Sequence, residues 1–270
     1  VTDVDIRIIP TVLANTKEEF EERLAKLLPA SNELQIDMMD GQFVPSTGIA
    51  VDDLPDLKQW DDHLFEVHIM VYHPERYIEP LAQRGCRRVI FHYEAIEDKR
   101  IPELVQSIRG LGMQSIIALN PETPVERILP FTGLVTGVLF LGVHPGFNGA
   151  PYVSSTPERI EELVRLTNGA PRSFYIQVDG GMTPETVGDV VRAGATRINS
   201  GSFVSKADDP TAAIQQLMEI AQAATPKMEK VKAAKRSAVP RPRKTRRPQT
   251  QQSHTKASQH AQASKERRGG

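Results

Sequence analysis

Cysteine is almost absent: Cys86 is the only one in 270 residues. No intramolecular disulfide can form, and a reducing, cytoplasmic setting is expected. No stretch of about 18 apolar residues occurs, so no membrane partner is expected. The N-terminal VTDVDIRIIP lacks a basic region followed by an apolar run, which argues against a secretory signal. There is no P-loop, no Cys-x-x-Cys and no Gly-x-Ser-x-Gly. Aromatic residues are 6% of the chain, and none falls in residues 226–270.

The formal net charge of −1 hides a division. Residues 1–225 carry 32 Asp and Glu against 19 Lys and Arg, whereas residues 226–270 carry 14 basic and 2 acidic residues. The tail has prolines and long polar runs, and too little apolar surface to offset its chain entropy, so disorder is expected there. Its charge suits nucleic acid or another polyanion, although without aromatics it cannot stack bases. A purely solvated extension and a tail folded back on the acidic body are the other readings.

What remains is rich in alternation. Strands are predicted at Arg7–Leu13, Glu33–Met39, Phe65–Met70, Arg88–His92, Gln114–Leu119, Gly137–Leu141, Phe174–Val178 and Arg197–Asn199. Helical patterns follow most of them. NTKEEFEERLAKLL sets Phe20, Leu24 and Leu27 on one face behind an Asn15 or Thr16 cap. STPERIEELVRL does the same with Ile160, Leu163, Val164 and Leu166, with Pro157 in its first turn. TPETVGDVVRAG predicts a helix starting at Thr183–Glu185 and ending at Gly194, and a last helix begins near Pro210. Eight such units over about 220 residues predict an α/β fold, a (β/α)8 TIM barrel over residues 1–225, with an open doubly wound sheet as the rival.

In a barrel every second strand residue faces the lumen. ELQIDMMDGQFVP then points Gln35, Asp37 and Met39 inward; FEVHIM points Glu66, His68 and Met70; YIQVDGG points Tyr175, Gln177 and Asp179. Asp37, His68 and Asp179 fall near strand C-terminal ends, where barrel active sites lie. Singly, each has an ordinary structural reading. Together, two carboxylates and an imidazole in one lumen are costly to desolvate without a function. Gly146–Gly149, Gly180-Gly181 and Gly201-Ser202 offer backbone N–H groups in the loops where barrels hold phosphate.

These motifs, in order, resemble the ribulose-phosphate 3-epimerase family: PTVLA (Pro10–Ala14), IDMMDGQFVP (Ile36–Pro45), VHIMV (Val67–Val71), VHPGFNG (Val143–Gly149), VDGGM (Val178–Met182) and NSGSFV (Asn199–Val204). The resemblance spans about residues 6–210. It implies a metal-dependent isomerase that interconverts D-ribulose 5-phosphate and D-xylulose 5-phosphate at C3 through an enediolate. Asp37 and Asp179 would be the acid/base pair, since inverting a carbon needs a proton donor on the face opposite the base. A divalent cation (zinc, iron, manganese or cobalt) would be held by Asp37, His68 and Asp179. Met39, Met70 and Leu141 would line the enediolate, and Thr11 would contact substrate. Gly146, Asn148, Gly149, Gly180, Gly181, Gly201 and Ser202 would hold the phosphate. Loop six would close as a lid, with His144 shaping it, and His92 would support the site. A homo-oligomer is compatible with all of this.

The departures from the family pattern fall in the metal cage and in the loops, where Asn148 and Ala150 alter the end of loop six. Gln35 stands where the family has a fourth metal ligand, a His, and Gln177 stands for a Glu. Gln35 would coordinate through its oxygen, leave the position to water, or mark lost metal binding. An epimerase of another ketose phosphate, or a phosphosugar-binding barrel without turnover, are the alternatives the sequence leaves open.

Overall fold

The structure is a computed structural model that describes residues 4–146, 149–167 and 173–225. The basic tail and Asn148 lie outside the described residues, as does Phe147 of loop six. Eight parallel strands close into a barrel in chain order: β1 (Arg7–Val12), β2 (Glu33–Met39), β3 (Leu64–Met70), β4 (Arg88–His92), β5 (Gln114–Leu119), β6 (Gly137–Leu141), β7 (Tyr175–Asp179) and β8 (Arg197–Ser200). β8 pairs with β1, from Arg7 opposite Arg197 to Pro10 opposite Ser200, which leaves no open edge and excludes the doubly wound sheet.

Seven α-helices are described: α1 (Lys17–Leu27), α2 (Glu75–Arg84), α3 (Ile101–Gly110), α4 (Thr156–Leu166), α5 (Val187–Ala193), α6 (Ser202–Ser205) and α7 (Pro210–Ala224). Thr16 caps α1 by accepting from the Glu19 N–H, and Phe20, Leu24 and Leu27 are buried as their spacing predicts. Asp209 caps α7 by accepting from the Ala212 N–H at 3.0 Å. Two connections depart from a regular barrel. Between β2 and β3 there are only short 3-10 turns, and between β5 and β6 a 3-10 run, Val125–Phe131, follows Pro124 and contains Pro130. A proline carries no N–H for an α-helical ladder. Helix α5 also begins later than its pattern suggests. Thr183 donates its N–H to Thr186 Oγ1 at 3.0 Å, and that hydroxyl donates to the Gly181 carbonyl at 2.7 Å, which holds residues 183–186 in a turn.

Strand alternation separates two cores. The outward set, among them Ile36, Phe65, Val67, Phe91, Phe140 and Val178, packs with the helices into one continuous cluster. The inward residues Ile90, Ile116, Ala118, Leu139 and Leu141 form a separate cluster. Inward apolar residues thus come from β4, β5 and β6, with Met39 of β2 and Met70 of β3 in a further cluster. The inward residues of β2, β3, β7 and β8 include Gln35, Glu66, Gln177 and Asn199, each fully buried. Burying that many polar groups requires that they satisfy one another.

Among the described residues no helix is long and apolar enough to cross a membrane. Cys86 is buried, which pushes its thiol up to about 12, so it packs rather than reacts.

Candidate active site

Register brings the expected residues together. Asp37 lies directly opposite His68 across β2–β3, and Asp179 ends β7 beside Leu141 of β6. The Asp37, His68 and Asp179 ligand atoms lie within 4.8 Å of one another, all three residues buried. His68 Nδ1 sits 3.3 Å from Asp37 Oδ1 and 3.6 Å from Asp179 Oδ2, aimed between them and aligned on neither.

The other face of His68 explains its tautomer. His68 Nε2 meets His92 Nε2 at 2.9 Å, and His92 Nδ1 faces Glu94 Oε2 at 3.3 Å. Glu94 is itself fixed by the Asn120 N–H at 2.9 Å and by the Thr123 hydroxyl. Burial pushes His92 down to about 4, so it is neutral near pH 7. Its Nδ1–H then serves Glu94 and its Nε2 accepts from His68 Nε2–H. That leaves His68 Nδ1 as a bare lone pair whenever His68 is neutral. A lone pair converging with two carboxylates is a donor set that wants a cation. One nitrogen and two carboxylate oxygens fit a divalent ion with open positions. Burial works against charging His68, but the carboxylates of Asp179 and Asp37 outweigh it and hold a proton there up to about 9. Burial, only partly offset by His68, raises Asp37 above the usual carboxylate range; neighbouring Asp179 pushes the same way.

Gln35 does not turn its oxygen toward this cluster. Its amide Nε2 donates to Asp37 Oδ1 at 2.8 Å and to Asp179 Oδ2 at 2.6 Å. Its Oε1 faces away and accepts from Asn199 Nδ2 at 2.7 Å.

The cluster opens into a cavity of about 590 Å³. Thr11, Met39, Met70 and Leu141 line it close to the carboxylates, and Thr11 Oγ1 is buried with no partner among the described residues. Gly146, Gly149, Gly180, Gly181, Gly201 and Ser202 line it farther out, so every expected phosphate residue except Asn148, which is not described, opens on the same space. Gly180 and Gly181 adopt φ of 97° and 71°, a conformation that favours glycine. A Cβ on Gly180 would come within 2.6 Å of Val143 and one on Gly181 within 2.7 Å of Tyr152. His144 lines the cavity and pairs with Glu122 at 2.8 Å, tying loop six to the loop after β5.

Three contributions were not singled out from sequence. Ser46 donates to the Gly146 carbonyl and pins the loop after β2 to loop six. Lys26 and Lys206 reach the cavity rim from the ends of α1 and α6, and Lys26 donates to the Ser205 carbonyl at 2.9 Å. In sequence these lysines look like ordinary exposed charges at helix ends. Asn199 had no assigned role.

Residues 7–205 match the Ribulose-phosphate 3 epimerase family. The chain belongs to that family. It is 35% identical over 218 residues to the ribulose-phosphate 3-epimerase, cytoplasmic isoform, of Oryza sativa subsp. japonica, covering 78% of this chain and 92% of that protein. It is also 35% identical to the ribulose-phosphate 3-epimerase of Schizosaccharomyces pombe, covering 79% and 93%. Among solved structures, 3-hexulose-6-phosphate synthase superposes with a TM-score of 0.60 at 16% identity, covering 82% of this chain and all of that one, a likeness of fold. The chain is therefore an enzyme of the epimerase class.

Proposed function

We propose that this epimerase interconverts D-ribulose 5-phosphate and D-xylulose 5-phosphate at C3, with Asp37 and Asp179 as the two acid/base groups. The observation that carries the reading is the convergence of both carboxylates and His68 Nδ1 in one buried cluster at the floor of a glycine-rimmed cavity of about 590 Å³. Inversion at C3 requires removal of the proton from one side of the substrate plane and delivery from the other. A carboxylate that has just taken the proton cannot reach the far face, so a second is needed. Burial raises Asp37, which favours its holding a proton between the two half-reactions.

Asp37, His68 and Asp179 would hold a divalent cation, which supplies positive charge against the oxygen that becomes anionic. Gln35 keeps the two carboxylates at a fixed spacing through its two N–H groups. The Glu94–His92 pair holds the His68 ring in place. Met39 and Met70, with Val44, wall the floor with polarizable, water-excluding surface. The glycine loops and the Lys26–Lys206 rim would take the phosphate, which orients C3 over the carboxylates.

The test is product formation with purified protein. Metal content is measured first, and D-ribulose 5-phosphate is then compared with other ketose phosphates. Formation of D-xylulose 5-phosphate at a kcat/KM well above that for the others supports the proposal. A clear preference for a different ketose phosphate would keep the chemistry and overturn the substrate.

A further inference from the structure

We propose that Glu66, deep in the lumen, acts through Asn199 as a positioning residue that fixes the direction of the Gln35 amide, making Gln35 a double hydrogen-bond donor to Asp37 and Asp179 rather than a metal ligand. This deepens the reading of the site given above and rests on it for the roles of the two aspartates.

An amide can face either way, so something must set its polarity. Glu66 Oε1 accepts from Asn199 Nδ2 at 2.8 Å and from Gln177 Nε2 at 2.5 Å. A carboxylate only accepts, so both amides must turn their NH2 groups to it. Gln177 Nε2 uses its second proton on Asn199 Oδ1 at 2.7 Å, which holds Asn199 the same way round. The second proton of Asn199 Nδ2 then goes to Gln35 Oε1 at 2.7 Å. With its oxygen occupied, Gln35 has only its NH2 left for the far end, and both protons land on carboxylate oxygens. The ladder runs in one direction. Reversing it would aim the Gln35 oxygen at two carboxylates and the Asn199 oxygen at a third.

Arg88 anchors the closed end. Its Nη1 lies 3.5 Å from Glu66 Oε2 and 2.9 Å from Glu33 Oε2, while its Nε donates to Gln114 at 3.0 Å. A guanidinium only donates. An amide at position 66 would therefore have to offer its oxygen to Arg88 and its NH2 to Asn199. Glu66→Gln is thus expected to invert the whole ladder and turn the Gln35 oxygen toward the carboxylates.

The experiment reads side-chain amide NMR signals of the metal-stripped full chain, with the Gln35 pair identified by its loss in Gln35→Met. In the wild type both Gln35 amide protons are expected well downfield of exposed glutamines, slowly exchanging. In Glu66→Gln both are expected to move upfield. Should Glu66→Gln not fold, Asn199→Asp replaces the donor to Gln35 Oε1 with an acceptor and carries the same expectation. A Gln35 pair at exposed-glutamine positions in the wild type, or one unmoved by both Glu66→Gln and Asn199→Asp, overturns the proposal.

A calorimetric titration with Mn²⁺ forms the second arm. Gln35→Met removes a hydrogen-bond partner of both ligating carboxylates and is expected to weaken Mn²⁺ binding by about 10–100-fold, the scale for contacts that orient ligands. Unchanged affinity would mean that the amide holds neither carboxylate and would overturn the proposal, while the amide spectra separate a donor from a ligand. A wild type that binds no divalent cation overturns the metal role of Asp37, His68 and Asp179 instead, and the amide spectra still decide the ladder.

Discussion

Asp37 and Asp179 share a neighbour on each side: His68 Nδ1 on one and the Gln35 amide on the other. Two carboxylates this close repel unless something positive lies between them. The site supplies partial charge from an amide and full charge from a cation or a His68 proton. In the proposed reaction, removing one carboxylate would remove both an acid/base group and a donor to the ion. Asp37→Asn is expected to lower kcat by at least about 10²–10⁴-fold, the range for general acid–base terms, as measured by product formation. A variant retaining most of its turnover would remove Asp37 from the chemistry. The rim charges act differently. Lys206 is exposed, so its attraction to phosphate is screened. Lys206→Ala is expected to raise KM by about two- to fivefold with kcat little changed, a loss of uniform binding in steady-state kinetics.

At the scale of elements, stability comes from the outer faces of the strands and the buried faces of the helices. Phe20 is fully buried on α1. Phe20→Ala is expected to cost about 3–5 kcal/mol in urea denaturation. Thr16→Ala, which removes the cap on the same helix, is expected to cost about 1 kcal/mol. The loops after β4 and β5 are joined by Glu94, which binds His92, Asn120 and Thr123 together. Burial works against the ionised form of Glu94, but those partners outweigh it and hold the carboxyl below its ordinary value of 4.5. A depressed carboxyl binds fewer protons folded than unfolded. Its contribution is thus full above pH 4.5 and is lost as pH falls through the folded value. The stability gap between wild type and Glu94→Gln is expected to be widest near pH 7 and to narrow on acidification below 4.5. A gap independent of pH would contradict the assignment.

Helix α1 and the eight strands, to within a residue at each end, were legible because one-face spacing and period-two alternation are local. The start of α5 was not, because Thr183 and Thr186 divert the chain into a turn through side-chain hydroxyls that a periodic pattern does not weigh. The 3-10 link before β6 was hidden for a similar reason, with prolines interrupting an otherwise helical composition.

On the scale of the whole molecule, closure of the barrel turns a list of residues into a site. Asp37, His68 and Asp179 could be picked out from sequence because each faces inward near the C-terminal end of its strand, and all three meet. The Gln35–Asn199–Glu66–Gln177 ladder could not. Its members come from four strands and are brought together by barrel register, across separations of up to 164 residues. In sequence Asn199 is one polar residue before a Ser-Gly turn, with nothing to mark it as the partner of Gln35. Gln35 therefore leaves its coordination open in one dimension and is the end of a hydrogen-bond chain in three.

The central claim, two carboxylates exchanging protons across one substrate, is tested most directly by turnover of D-ribulose 5-phosphate in D2O. Each base keeps the proton it took until solvent replaces it. Newly formed D-xylulose 5-phosphate is therefore expected to carry deuterium at C3 from the first turnovers, while unreacted D-ribulose 5-phosphate remains largely protiated. Product that carries the substrate's own C3 hydrogen, or no product with zinc, iron, manganese or cobalt supplied, would contradict the account.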